Sequence, residues 1–470
     1  MKKNIISIAL LLFVYSTTLS AQIAMGKWRT HFAYNSVKQI AQSETKIYAV
    51  SEGALYSVDK SDGGLEFYSK VSGLNGANIS RIEFDTQNQQ LLIVYTNGNI
   101  DILGSGGIIN VPDLYKKQMS ASKEVNHIMF YHNKAYLACD FGIVVLNMLK
   151  KEVKETYYIG PNAMEVKVLN TIILNNTIYA LTSSTVYKAN VTEPNLVNFE
   201  FWTPTTNFPG SGDFQSINSF KGNLFLLRSG KLYKQSSDNS WSSFLPDLTV
   251  TNFNVTNGRM NIFASNSAYL VDEQLNVTTV SDVGILTDAE YDSQNNTYWF
   301  AANALGVISY TQTGTDLPKK NYYKPLGPAV NSPFDMKFSG QKLFVVPGGR
   351  WVFYERPGYV MIYENSAWKN ISHTSFESIT GQACNDLIAI AVDPIDDKHF
   401  FAASYSSGLY EFKNDEFYKY HNFTNSTIEN LFGSYQYQMM GGCKFDDKGN
   451  LWVLNEYVKN GIKVYLADGT

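Results

Sequence analysis

Ten segments of this chain share one arrangement: a short apolar strand, a tight turn, and a second apolar strand. Examples are KIYAVSEGALYSVD, LLIVYTNGNIDIL, AYLACDFGIVVLN, YWFAANALGVISY and HFFAASYSSGLYEF. With Tyr48, Leu92, Tyr136, Tyr179, Phe225, Ile262, Trp299, Phe344, Phe400 and Trp452 as markers, successive gaps are 44, 44, 43, 46, 37, 37, 45, 56 and 52 residues. A unit of that length holding several short strands cannot bury its apolar faces alone and must stack on its neighbours, which is the signature of a β-propeller. Eight of the ten units place Gly just before the second strand, as at Gly53, Gly98, Gly142 and Gly306, where a tight hairpin turn calls for left-handed backbone. Four units carry Asp upstream of the marker (Asp85, Asp292, Asp393, Asp446), suited to tie a turn through its own backbone. Outer strands follow at Glu66 to Tyr68, at Trp241 and at Trp368, so four strands per unit are expected.

The composition agrees. Aromatics make up 14% of the residues, chiefly 31 Tyr and 28 Phe, which fit half-buried pleated surfaces. Helical periodicity is nearly absent, and the class is all-β. A formal net charge of -4 argues against a nucleic-acid binder, which would carry a basic excess.

The N-terminus, MKKNIISIALLLFVYSTTLSAQ, has a basic start, an apolar middle and a small-residue exit. It reads as a signal peptide over residues 1–21, so the protein is expected to be exported. No later apolar run is long enough to cross a membrane as a helix, so no transmembrane segment is expected after cleavage. Cys139, Cys384 and Cys443 are too sparse and too far apart in the repeat to suggest a disulfide framework or a thiolate metal site.

After the seventh marker the spacing lengthens, and Pro318, Pro325, Pro328 and Pro333 punctuate the chain. Residues 22–328 are therefore expected to close one seven-bladed ring, and 329–470 to supply the first three blades of a second. Three blades cannot close a ring, so the sequence is expected to be a piece of a longer protein. The stretch GKWRTHFAY has the look of an outer strand, and residues 28–34 are expected as a closing strand for either ring.

Chemical motifs do not appear. The six histidines form no zinc-ligand spacing, and there is no nucleophile elbow or phosphate-cradling glycine loop. Asp59 to Gly63 echoes a calcium loop without its closing glutamate and reads as a plain turn. A propeller glycosidase would need two carboxylates flanking a cleft, and no motif marks such a pair. No enzyme, metal or cofactor is expected.

The stretch SKVSGLNGANISRIEFDTQNQQLLIVYTNGNIDIL resembles the periplasmic propeller repeats of two-component regulators. GKWRTHFAY followed by KIYAVSEGALYSVDK and VYTNGNIDIL looks closer still to the PorZ family of the type IX secretion system of the Bacteroidota. The resemblance implies two seven-bladed propellers and a C-terminal sorting domain, which this sequence does not reach. It also implies a non-enzymatic member of an outer-membrane attachment complex with PorU, PorV and PorQ. Such a protein binds anionic lipopolysaccharide and presents it to the PorU sortase for attachment to secreted cargo. The alternative is a periplasmic glycan-sensing ectodomain of a hybrid two-component regulator.

One hairpin departs from its siblings. Between Val346 and Tyr359 the chain inserts PGGRWVFYERPG where other units have a four-residue turn. Arg350 and Arg356 offer planar forks for phosphate or carboxylate, and Trp351 and Tyr354 offer faces for a sugar ring. These four are the candidate ligand residues. The competing expectation is a loop that packs one ring against the other, its arginines paired with nearby acids.

Overall fold

The structure is a computed structural model that describes residues 26–312, 317–352, 354–431 and 437–468. The leader expected at 1–21 lies outside the described residues. The chain divides into two compact units, one ending at His31 and one beginning at Phe32, and the described sheets all lie in the second.

Those sheets are ten antiparallel ladders, nine of four strands and a last one of three. Numbered as blades, the first seven span Val37–Tyr68, Ile79–Val111, Val125–Tyr157, Asn170–Thr205, Phe214–Phe244, Asn252–Val280 and Asp288–Tyr323. Blades 8 to 10 span Asp335–Ser372, Leu387–His421 and Met440–Tyr465. Each marker residue falls on the second strand of its blade.

Blades 1 to 7 close a ring. The first strand of each packs against the first strand of the next, and that of blade 7 (Asp288–Asp292) packs back against that of blade 1 (Val37–Gln42). Successive residues of a strand point to opposite faces, so each blade feeds two neighbours at once. In blade 3, Ala135, Leu137 and Cys139 pack toward blade 2, while Tyr136 and Ala138 pack toward blade 4. Burial on both faces explains why the repeat strands read as continuous apolar runs rather than alternating ones. The seam between blades 7 and 1 has its own cluster, in which Trp299, Ala301 and Val307 meet Val37, Ile40 and Tyr56. Blades 8, 9 and 10 follow as three consecutive neighbours.

The local turn chemistry expected from sequence is in place. Asp85, Asp292, Asp393 and Asp446 each accept from a backbone N–H two residues on. Gly306 sits at φ +88°, and a Cβ there would lie 2.5 Å from the Tyr323 carbonyl oxygen of the adjoining outer strand.

Residues 26–36 belong to no strand, so the stretch expected at 28–34 as a closing strand for either ring does not close the first. Each blade of the ring draws all its strands from its own segment, so no edge is vacant for a visitor. The end of that stretch instead fastens the proline-dense connection after blade 7. The Ala33 N–H donates to Asn331 Oδ1 at 2.7 Å, and Asn35 Nδ2 donates to the Ala329 carbonyl at 2.6 Å. A Cβ at Gly327 would lie 2.1 Å from the Phe32 carbonyl oxygen, so the two segments touch backbone to backbone.

Candidate functional site: the long hairpin and the axial cavity

The long hairpin connects strands Lys342–Val346 and Tyr359–Glu364 of blade 8. It is held by the entry to blade 9 rather than by the first ring. The Gly348 N–H donates to the Leu387 carbonyl at 2.7 Å, Gly358 donates to Cys384, and Asp386 donates to Arg356. The buried Asp386 carboxylate accepts from the Glu355 N–H at 2.9 Å and the Arg356 N–H at 3.3 Å. Burial raises the Asp386 pKa, and those backbone donors oppose the rise. The glycines of the insert are there for room: a Cβ at Gly348 would lie 2.1 Å from the Leu387 carbonyl oxygen.

The four candidate residues therefore divide into two pairs. Arg350 is ion-paired with Glu456 of blade 10, and Arg356 Nη1 donates to the Gly348 carbonyl at 2.6 Å. Each guanidinium also lies over an aromatic ring, Arg350 at 5.1 Å from Trp351 and Arg356 at 4.6 Å from Tyr354. The arginines thus build the loop, while Trp351 and Tyr354 stand out of it at 76% and 51% exposure. The structure brings the four together on one loop and links that loop to blades 9 and 10.

A second site was not visible in the sequence. A cavity of about 490 Å³ runs along the ring axis, lined by the first strands of all seven blades. In blades 1, 2, 3 and 5 the ladder shifts by one residue just inside its first pair. Such bulges re-aim side chains. The bulged residues Lys38, Asn126 and Gln215 all line the cavity. Gln39, Arg81, His127, Thr171, Asp288, Glu83 and Glu290 belong to the lining too. No motif could reveal this constellation, because each blade contributes only a short stretch of its first strand, about 40 positions from the next.

Many of the amides here are committed to stapling blades together. Gln39 exchanges two hydrogen bonds with the Ile82 backbone, and Asn126 donates to Val168. Asn254 donates to Ala289 and to Asp288, and Asn252 to Thr287. The ionisable groups are strongly perturbed. Burial, with the Asp288 charge, pushes Glu83 up to about 8. Burial and the neighbouring Glu83 and Asp288 raise Glu290 well above the carboxylate range. Burial lifts Asp288 to about 6 and, with Arg81 nearby, lowers His127 to about 4.

The fold defines the class: a β-propeller protein with one closed seven-bladed ring around a polar axial cavity, followed by three more blades. More narrowly, the chain is PorZ-like. Residues 47–203 match the family described as the PorZ N-terminal β-propeller domain of the type IX secretion system. PorZ of Porphyromonas gingivalis, described as an essential bacterial surface component of that system, superposes with a TM-score of 0.84 at 25% identity. The match covers 95% of this chain and 60% of that one, so the chain spans about three fifths of the PorZ structure. An extracellular domain described as part of a hybrid two component system of B. thetaiotaomicron aligns at 13% identity and a TM-score of 0.46, over 95% of this chain and 59% of its own. Comparison with curated proteins gives no match. Among the described residues, no helix is long and apolar enough to cross a membrane.

Proposed function

We propose that this chain serves, at the cell surface, as a non-enzymatic component of the type IX secretion attachment complex. In this reading it binds anionic lipopolysaccharide and presents it to the PorU sortase, in company with PorV and PorQ. The observation that carries the reading is the superposition on PorZ along 95% of the chain. The long hairpin supplies the contact for glycan. Two aromatic faces stand exposed beside two cations whose forks are already engaged, so stacking on sugar rings is the principal contact and the arginines contribute field and rigidity.

Surface plasmon resonance against immobilised anionic lipopolysaccharide tests it. Replacing Trp351 and Tyr354 together by Ala is expected to weaken binding by about tenfold, from roughly 0.5–1.5 kcal/mol lost per aromatic contact. The melting temperature should hardly move, because both side chains are exposed. Unchanged affinity in the double variant removes the hairpin from the reading. Failure of the wild-type chain to bind, together with failure to co-purify with PorU, removes the reading itself.

A further inference from the structure

Each blade of the first ring carries one marker residue on its second strand, and six of those seven side chains are buried. Tyr179 of blade 4 is the exception and is only half-buried. The outer strand of that blade, Thr203–Thr205, is three residues long, against four to six in the other blades of the ring. It also contains Pro204, which has no N–H to give a ladder. The seam with blade 5 is left open as a cavity of about 260 Å³, where Tyr179 and Lys188 meet Asn207, Phe208, Gln235 and Trp241.

Tyr179, Phe208 and Trp241 rest against the buried cluster between the two blades and stay partly exposed. The rings of Phe208 and Trp241 have centroids 6.2 Å apart and are tilted by 48°. Phe208 meets Phe214 edge-on at 4.9 Å, and the Arg228 guanidinium lies 4.5 Å from the Phe214 ring. Arg228 also donates to the carbonyls of Pro209, Gly210 and Gly212 at 3.0, 2.9 and 2.8 Å. The loop that carries Asn207 and Phe208 is thus fixed before any ligand arrives, which spares the cost of ordering it. Among the described residues, the side chains of Lys188, Asn207, Gln235 and Trp241 form no hydrogen bond or ion pair with another residue.

Partly exposed rings beside unspent amides are what a pyranose engages: its C–H face stacks on an aromatic ring, and its hydroxyls need groups that both donate and accept. A wholly apolar ligand would leave the amides unpaired, and a peptide strand would need an edge that Pro204 interrupts. The volume suits one sugar ring rather than an extended chain. We propose that the cleft between blades 4 and 5 binds a pyranose ring, with Trp241 and Phe208 against its face and Asn207 and Gln235 pairing with its hydroxyls. This site belongs to the first ring, whereas the long hairpin belongs to blade 8, and it does not depend on the lipopolysaccharide reading.

Saturation-transfer NMR and calorimetric titration of the full chain with methyl glucoside, methyl galactoside and methyl mannoside test the proposal. Sorbitol is the control, an open-chain polyol with hydroxyls but no ring face. At least one glycoside is expected to bind, and sorbitol at least about tenfold more weakly. Asn207→Gly, which tolerates the left-handed backbone at φ +68°, and Gln235→Ala should each weaken binding about fivefold with the melting temperature unchanged. Trp241→Ala should weaken it about tenfold, and Trp241→Phe, which keeps a ring, should recover most of the affinity. No binding of the three glycosides, equal affinity for sorbitol, or binding indifferent to Asn207→Gly, Gln235→Ala and Trp241→Ala would overturn it.

Discussion

Glu411 is fully buried in blade 9 and faces two histidines and a lysine. Its carboxylate meets His399 Nε2 at 3.0 Å, His421 Nε2 at 2.8 Å and Lys413 Nζ at 3.2 Å, while His399 Nδ1 reaches Asp393 at 3.0 Å. Burial alone would raise the Glu411 pKa, but hydrogen bonds from His399, His421 and Lys413 hold it far below the ordinary value. The bond to Glu411, then that to Asp393, raises the His399 pKa above its ordinary 6.5. A folded-state value above the unfolded one means that this stabilisation is complete below about pH 6.5 and lost as pH rises through the folded value. Scanning calorimetry at pH 6 and pH 9 should show a drop in melting temperature, part of which disappears in His399→Gln. An identical drop in that variant removes His399 from the account. Glu411→Ala, which removes the carboxylate that His399, His421 and Lys413 share, should cost about 1–3 kcal/mol in denaturant unfolding. The aromatic shell around the cluster, Phe401, Phe445 and Tyr465, joins blades 9 and 10, so the loss should be felt at that seam.

At the scale of elements, the long hairpin shows how a loop can be read by composition and misread by placement. Its glycines and arginines were legible in PGGRWVFYERPG. Its docking on Cys384 to Leu387 was not, because a sequence does not say which neighbour a loop meets. The contact is blade to blade within the second group, not ring to ring. Gly348→Ala must push a methyl into the Leu387 carbonyl, and a loss of about 1–3 kcal/mol is expected, typical of overpacking. A variant as stable as wild type would mean that the loop is free to lift from blade 9. The first strands make the same point. The Asp and Gly turn positions depend on local backbone geometry and could be read along the chain. The bulges that turn Lys38, Asn126 and Gln215 toward the axis arise from how strands pair, and nothing in the run VKQIAQ announces one.

For the whole molecule, the ring closes without a borrowed strand. The Val37 N–H donates to the Asn303 carbonyl at 3.0 Å, Asp288 accepts from the Ile40 N–H at 3.1 Å, and Ser36 Oγ donates to Asn303 Oδ1 at 2.8 Å. Blades 8 to 10 make a shorter run, and their two ends bear exposed apolar residues: Met336 and Phe338 at one, Trp452, Leu454 and Ile462 at the other. Such faces leave apolar surface in water that a closed ring buries. We therefore propose that the two groups of blades are separate folding units, divided near residue 328. Scanning calorimetry should resolve two transitions, the lower one abolished when blades 8 to 10 are removed by cleavage in the proline-dense connection. One sharp transition that moves as a whole would make them a single unit.

What the sequence determined alone was the repeat: strands short enough and apolar enough that each must lie between two others, with glycine and aspartate marking the turns. That suffices for sheets, their number and their order, because these depend on neighbours along the chain. Tertiary structure decided which residues face the axis, which partners the arginines take and how residues 32–35 meet the connection after blade 7. These depend on groups far apart in sequence that meet only when blade 7 reaches blade 1. Electrostatics and hydrogen bonding act through space, and their distances are set by ring closure and by the bulges within it.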